Sequence, residues 1–367
     1  MSEGRLKNVI HNLMGRVQYR VQAGSEKLPD WVELVAGYGI DLTMRFRGID
    51  RREGLVLRGP AGWGEFSPFL DYEGDELLGW WRACEEACTR GFPTPVRDRV
   101  EVNCTVPVTT PERAQQIVLD QGCRTAKVKV ADPRSDLADD HDRLAAVREA
   151  LGASGRVRID ANGAWTVDEA LAAIIRFRGI DLEYVEQPCA TAEELAELRV
   201  RLARAGIDVP IAADESIRRS GDPERVVALE AADIAVLKVQ PLGGVRRCLD
   251  LAERLGLPVV VSSALETSIG LRMGLALAAA LPELSYACGL NTAPLLRGDL
   301  VADPLVAVAG AIAVPSQPLS LDEALVFDHE LADERLAVWL GRLHDTLGLQ
   351  DTMQDSGGLD RLKGGRS

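Results

Sequence analysis

From about residue 98 the chain alternates short apolar runs with longer segments whose apolar positions return every three or four residues. The short runs read as strands at 100–106, 126–130, 157–160, 182–186, 211–214, 234–238, 259–262 and 287–290. The segments between them, 111–121, 137–151, 167–179, 192–205, 223–230, 245–255 and 268–280, carry the helical period. Strands this short and apolar suit a parallel sheet buried on both faces. Strict alternation of eight strands with seven helices over 98–299 predicts an α/β fold, a (β/α)7β TIM-like barrel.

Residues 31–97 read as a small α+β capping domain, with strands at 31–38 and 55–58 and a helix at 75–89. Trp80, Trp81, Cys84 and Cys88 form that helix's apolar stripe. Segments 44–49 and 63–68 are aromatic and glycine-bearing, and read as loops of the kind that carry binding residues. Residues 1–30 read as an N-terminal extension, with an amphipathic helix at 8–21 and a linker at 24–29. After 300 the period is lost. Segment 303–324, rich in Pro and Val, is expected to pack back on the cap and complete it over about 300–330. Residues 331–367 read as a C-terminal helix and a Gly- and charge-rich tail, expected to be disordered from 351.

Single charged residues end the apolar runs. The steps from Lys129 to Asp160, Glu186, Asp214 and Lys238 are 31, 26, 28 and 24 residues, the length of one strand–helix unit. A barrel gathers such strand ends on one face, whereas an open doubly wound sheet would gather ligands at one switch point. Lys127 and Lys129 lie two apart and share a face, which is either the barrel interior or, alternatively, an outer face where both snorkel between helices. Asp160, Glu186 and Asp214 form a hard oxygen set suited to Mg²⁺, with Mn²⁺ as a substitute. Asp160 and Asp214 also have the alternative reading of helix N-caps, a role to which Glu186 is poorly suited. Lys238 falls four strands from Lys129, on the opposite side of an eight-strand ring. A proton next to a carboxylate is weakly acidic, because its removal adds a second negative charge. A divalent cation offsets that charge, and a lysine whose basicity is lowered by nearby cations can take the proton.

The net charge of −14 argues against nucleic acid and anionic membranes as partners. A small-molecule carboxylate remains compatible where lysine and metal reverse the sign locally. No charge-free apolar run is long enough to span a bilayer, and the first residues lack the apolar core of a signal peptide, so a cytoplasmic location is the expectation. The seven cysteines form no C-x-x-C pair and are expected to be buried thiols. Oligomeric state is left open, and a monomer is compatible with the sequence.

The K-x-K at Lys127 and Lys129, D-A-N at Asp160, E-Q-P at Glu186, D-E-S at Asp214 and K-x-x-x-x-G-G from Lys238 resemble the muconate-lactonising branch of the enolase superfamily over about 31–325. Segments 44–49, 62–68, 123–130 and 262–268 are most similar to the o-succinylbenzoate synthase family of menaquinone biosynthesis, in its compact actinobacterial type. The resemblance implies an α+β cap on a (β/α)7β barrel and Mg²⁺-dependent dehydration of 2-succinyl-6-hydroxy-2,4-cyclohexadiene-1-carboxylate. It assigns Lys129 as base and then acid, and Lys238 as the cation facing the enediolate. It assigns Asp160, Glu186 and Asp214 as metal ligands, with Asn162 and Glu215 orienting them. Lys127 would contact the substrate carboxylate, Ser262 and Ser263 the succinyl tail, and Arg45, Arg47 and Gly48 would belong to the closing cap loop. The same lysine pair also serves N-succinylamino acid racemases and dipeptide epimerases, which remain the same-scaffold alternative. A Schiff-base aldolase barrel, which needs no metal, is the alternative from another class.

Overall fold

The computed structural model describes residues 28–219 and 221–363, with side chains up to 352. The expected helix at 8–21 and most of the 24–29 linker lie outside the described residues.

The cap is a three-stranded antiparallel meander of β1 (Leu34–Phe46), β2 (Ile49–Gly59) and β3 (Gly62–Phe66), covered by α1 (Leu77–Thr89). β1 and β2 join through Arg47 and Gly48, whose φ values of 50° and 78° are the left-handed pair a two-residue hairpin turn needs. The first strand is thus longer than the sequence reading made it. Residues 44–46, 49 and 63–66, read as loops, lie in strands instead. Gly64 misled that reading, because α1 lies directly on the sheet and needs glycine there, as it does at Gly59 on the neighbouring strand. A Cβ on Gly64 would meet the Cys84 carbonyl oxygen at 2.6 Å, and one on Gly59 would meet that of Cys88 at 2.6 Å. Trp80, Trp81, Cys84 and Cys88 do form the buried stripe.

The barrel strands are β4 (Arg99–Val106), β5 (Thr125–Lys129), β6 (Arg156–Asp160), β7 (Leu182–Glu186), β8 (Ile211–Ala213), β9 (Ile234–Leu237), β10 (Val259–Val261) and β11 (Cys288–Asn291). Each pairs in parallel with the next, and β11 pairs with β4. A bridge between Ser262 and Gly289 joins β10 to β11 and closes the ring. The helices between are α2 (Pro111–Gln121), α3 (Leu137–Leu151), α4 (Val167–Arg176), α5 (Ala192–Arg204), α6 (Glu215–Arg218), α7 (Arg225–Ala228), α8 (Val239–Leu242), α9 (Val245–Leu255) and α10 (Ser268–Ala280). Reciprocal capping boxes open α3, α4 and α5, at Asp136/Asp139, Thr166/Glu169 and Thr191/Glu194. The helix expected at 223–230 is the shorter α7. The single-turn helices α6 and α8, which start right after Asp214 and Lys238, are too short to show a period.

Part of the 303–324 stretch joins the barrel and not the cap, since β12 (Ala311–Ala313) pairs antiparallel with β4 at residues 99–101. The chain ends in α11 (Glu323–Asp328) and α12 (Asp333–Lys363), and α12 runs on past residue 351 into the stretch read as a disordered tail. The main core lies between the strands and their helices. A second core joins the cap sheet and α1 to Leu296, Leu300, Val301, Val326, Leu331, Trp339 and Leu343. The seven cysteines are all buried and unbridged. Among the described residues no helix is long and apolar enough to cross a membrane.

Candidate active site

The barrel register sets the site. Lys129 pairs with Asp160 across β5 and β6, Asp160 with Glu186 across β6 and β7, and Glu186 with Ala212 on β8, two residues before Asp214. The polar residues that end these strands therefore stand at one height, at the C-terminal mouth. Alternation on β5 sends Ala126 and Val128 outward into the main core and turns Lys127 and Lys129 inward.

Each carboxylate meets a cation of the chain. Lys127 Nζ donates to Glu186 Oε1 at 2.7 Å and Oε2 at 2.9 Å, and lies 3.6 Å from Asp160. Lys129 Nζ bonds Asp160 and donates to Asn162 Oδ1 at 2.7 Å. Lys238 Nζ donates to Asp214 Oδ2 at 2.6 Å, and Arg218 Nε to Asp214 Oδ1 at 2.8 Å. Asp214 makes no N-cap bond with its side chain, and neither Asp160 nor Glu186 precedes a helix directly. The capping alternative therefore finds no support in the geometry.

Burial would raise the Asp160 carboxyl, but Lys129 and Lys127 outweigh it and hold it down at about 2. Asp214 is likewise buried, and Arg218 and Lys238 hold it well below the usual carboxylate range. Glu186 goes the other way. Burial pushes it up to about 7, Lys127 offsets only part of that, and Asp160 and Asp214 add to the rise. Burial lowers the basicity of Lys238 against the pull of Asp214, with Arg218 helping to lower it.

Asp160 and Asp214 both act on the buried Glu186 carboxyl, so the three carboxylates feel one another. Three hard oxygen donors carried by neighbouring strands, Asp160, Glu186 and the Asp214 that follows β8, suit Mg²⁺ or Mn²⁺. Among the described residues no three acidic, His or Cys side chains converge on one ion as they stand, because each carboxylate is turned to an ammonium or guanidinium group.

Lys127, Lys129, Asp160, Asn162, Lys238, Ser262 and Ser263 line one cavity with Arg47, Phe46, Phe69 and Tyr72 of the cap. As it stands the cavity has about 40 Å³, room for a few waters, so a larger ligand requires the cap to shift. Ser263 Oγ accepts from Leu265 N and from Thr292 Oγ1, each at 2.8 Å, and so also braces its own loop. Asn162 and Glu215 meet at 3.2 Å. Arg47 stacks 4.0 Å over Phe69 at the cavity roof. Arg45 is not brought to this cavity. It is half exposed, paired with Asp50 at 2.9 Å, and Arg45 and Gly48 line an outer cleft over Lys129 instead.

The sequence reading missed Arg218, Gln187, Glu65 and Arg52. Gln187 Oε1 accepts from the backbone of Asp214 at 2.9 Å and of Ser216 at 3.2 Å. Glu65 is fully buried between cap and barrel and accepts from Tyr38 Oη at 2.7 Å, Ser67 Oγ at 2.7 Å and Gly270 N at 3.0 Å. Arg52 donates to Leu265 O at 3.0 Å, which anchors the 262–267 loop to the cap. A buried charge inside the aromatic segment around Glu65 was the available signal.

Known proteins agree with this architecture. The enolase C-terminal domain-like family matches residues 109–318, and the enolase N-terminal domain-like family matches 38–88. The o-succinylbenzoate synthase of Thermobifida fusca is 56% identical over 306 residues, 83% of this chain and 93% of that protein. The o-succinylbenzoate synthase of Mycolicibacterium smegmatis is 49% identical over 323 residues, 87% of this chain and 97% of that protein. Among solved structures, muconate cycloisomerase from Pseudomonas fluorescens shares the fold, with a TM-score of 0.66 at 23% identity over 82% of this chain and 99% of that one. The chain belongs to the o-succinylbenzoate synthase family of hydro-lyases, within the enolase superfamily.

Proposed function

We propose that the chain dehydrates 2-succinyl-6-hydroxy-2,4-cyclohexadiene-1-carboxylate to 2-succinylbenzoate in menaquinone biosynthesis, with Lys129 as base and then acid. The observation that carries this reading is the placement of Lys129 and Lys238 on opposite walls of one cavity, with three carboxylates on the strands between them. Asp160, Glu186 and Asp214 would hold Mg²⁺, which when bound supplies positive charge to offset the dianion formed as the proton leaves.

Lys129, as a neutral amine, takes the proton from the ring carbon that bears the carboxylate. The electron pair of that bond moves into the carboxylate, giving a planar enediolate. Lys238 Nζ faces the enediolate from the other wall as a cation. When the pair returns to the ring, the neighbouring C–O bond breaks. The ammonium of Lys129 then gives its proton to the departing hydroxyl, which leaves as water, and the ring becomes aromatic. One group serves both steps because proton and hydroxyl leave from the same face. Asn162, which accepts from Lys129, aims the amine between them. Lys127 would meet the substrate carboxylate and Ser262 the succinyl tail.

The opposed lysines also support a second reading, in which an N-succinylamino acid loses its α-proton to one lysine and regains one from the other. The test is loss of diene absorbance by the purified protein with Mg²⁺ and with excess chelator, beside α-proton exchange of N-succinylamino acids. Rapid Mg²⁺-dependent loss supports the dehydratase. Exchange without dehydration supports the racemase.

A further inference from the structure

Two consecutive arginines at the end of α6 reach one cap residue, Arg218 at its hydroxyl and Arg219 at its ring. Arg218 turns inward and is almost fully buried, with its guanidinium spent on three partners. Nε donates to Asp214 Oδ1 at 2.8 Å, one terminal nitrogen bonds the Tyr72 hydroxyl, and the other bonds Glu215. Arg219 turns outward. Its guanidinium lies 4.6 Å from the Tyr72 ring centre, and it pairs with Glu76 at 2.9 Å and Asp71 at 3.1 Å. The Tyr72 ring also packs edge-on against Trp80 at 5.3 Å. Phe69, in the same cap segment, carries Arg47 of the roof turn at 4.0 Å. One short stretch between β3 and α1 therefore touches both the roof of the cavity and, through Arg218, the Asp214 carboxylate at the end of β8.

We infer that Arg218 and the Tyr72 hydroxyl are a positioning pair that couples the seating of the cap to the aim of the Asp214 carboxylate, an inference that rests on reading Asp214 as a metal ligand of the dehydratase. The Asp214 main chain is already fixed, since its N–H donates to Gln187 Oε1 at 2.9 Å. What Arg218 adds is the orientation of the side chain. A guanidinium is planar and rigid, so holding one terminal nitrogen at Tyr72 sets the direction in which Nε meets Asp214. Lysine, a point charge on a flexible stem, supplies the charge without that direction. In the seated cap Lys238 holds Asp214 Oδ2 and Arg218 holds Oδ1; when the cap lifts, Tyr72 leaves, the fork loses one anchor, and the direction that Arg218 gives the carboxylate is lost. When the cap seats, the carboxylate is aimed again. Arg218 acts through Asp214 and takes no part in bond making.

The experiment uses the full chain with Tyr72→Phe, Arg218→Lys and Arg218→Met. It measures Mg²⁺ affinity by titration calorimetry with and without 2-succinylbenzoate, together with kcat, KM and melting temperature. Tyr72→Phe keeps the ring between Arg219 and Trp80, so it should melt close to wild type. It should lose about tenfold in kcat with KM within about twofold, the size expected when a partner behind a metal ligand is removed. In wild type 2-succinylbenzoate should tighten Mg²⁺, and Tyr72→Phe should lose most of that tightening; a wild type with no tightening also overturns the coupling. Arg218→Lys should behave like Tyr72→Phe, and Arg218→Met should bind Mg²⁺ more weakly still. Tyr72→Phe with wild-type kcat, Mg²⁺ affinity and tightening overturns the pair. If wild type binds Mg²⁺ but turns over no cyclohexadiene, the dehydratase reading fails while the Mg²⁺ titrations still decide the pair. A wild type that binds no Mg²⁺ overturns both.

Discussion

Lys127 and Glu186 form a two-point ion pair across β5 and β7, with Nζ at 2.7 and 2.9 Å from the two carboxylate oxygens and both side chains sealed from solvent. Removing one partner of such a pair leaves a buried charge uncompensated. Lys127→Met should therefore cost about 3–5 kcal/mol of stability, whereas Lys127→Met with Glu186→Leu should recover most of it. Chemical denaturation of the metal-free proteins checks this. A double variant no more stable than the single one would show that the pair, and not local packing, was misjudged. Neither variant should turn over substrate, since both groups belong to the site.

Asp160 accepts from Lys129 and from the backbone of Asn162 at 3.0 Å, and its low proton affinity keeps it ionised at any working pH. Asp160→Ala should abolish measurable Mg²⁺ binding by titration calorimetry. Unchanged affinity would remove Asp160 from the ligand set.

Arg47 and Arg45 sit two residues apart and predict opposite results. Arg47 stacks on Phe69 at the cavity roof, while Arg45 pairs with the exposed Asp50. Arg47→Ala should raise KM about tenfold with a smaller effect on kcat, as for loss of uniform binding. Arg45→Ala should stay within about twofold of wild type, because exposed ion pairs contribute little. Equal effects from the two substitutions would contradict the placement.

Glu65 ties the cap to α10 by accepting from the Gly270 N–H, and Arg52 holds the cavity loop at Leu265 O. Glu65→Gln would point an amide N–H₂ at groups that themselves donate. The expected cost is about 1–3 kcal/mol, with a KM that rises as the cap loosens. A wild-type melting curve would show the carboxylate to be dispensable.

Asp160, Glu186, Asp214 and Lys238 were legible because each closes an apolar run, where a strand must meet solvent or a ligand, and Lys127 and Lys129 because, two apart within one run, they share a face. The barrel was legible for a related reason, since buried parallel strands leave continuous apolar runs. Arg218 was not legible, because Arg218-Arg219 after Asp-Glu-Ser reads as an ordinary polar helix end, and its burial depends on Tyr72 arriving from 146 residues away. The cap sheet was only half legible, because glycines that make room for α1 look like loop glycines. Arg45 and Arg47 could not be told apart without knowing that β1 runs to Phe46 and that the turn begins at Arg47, since a shift of one residue reverses which side of a strand a side chain takes.

In the proposed reaction Lys129 moves the proton. The decisive measurement is turnover of the cyclohexadiene substrate by Lys129→Ala, in protein whose melting temperature and Mg²⁺ affinity match wild type. Turnover should fall by at least about 10²–10⁴-fold, the share expected of a positioned acid–base group, with the fold intact because the residue lies at the mouth and not in the packed core. Near-native turnover by that variant would contradict this role of Lys129.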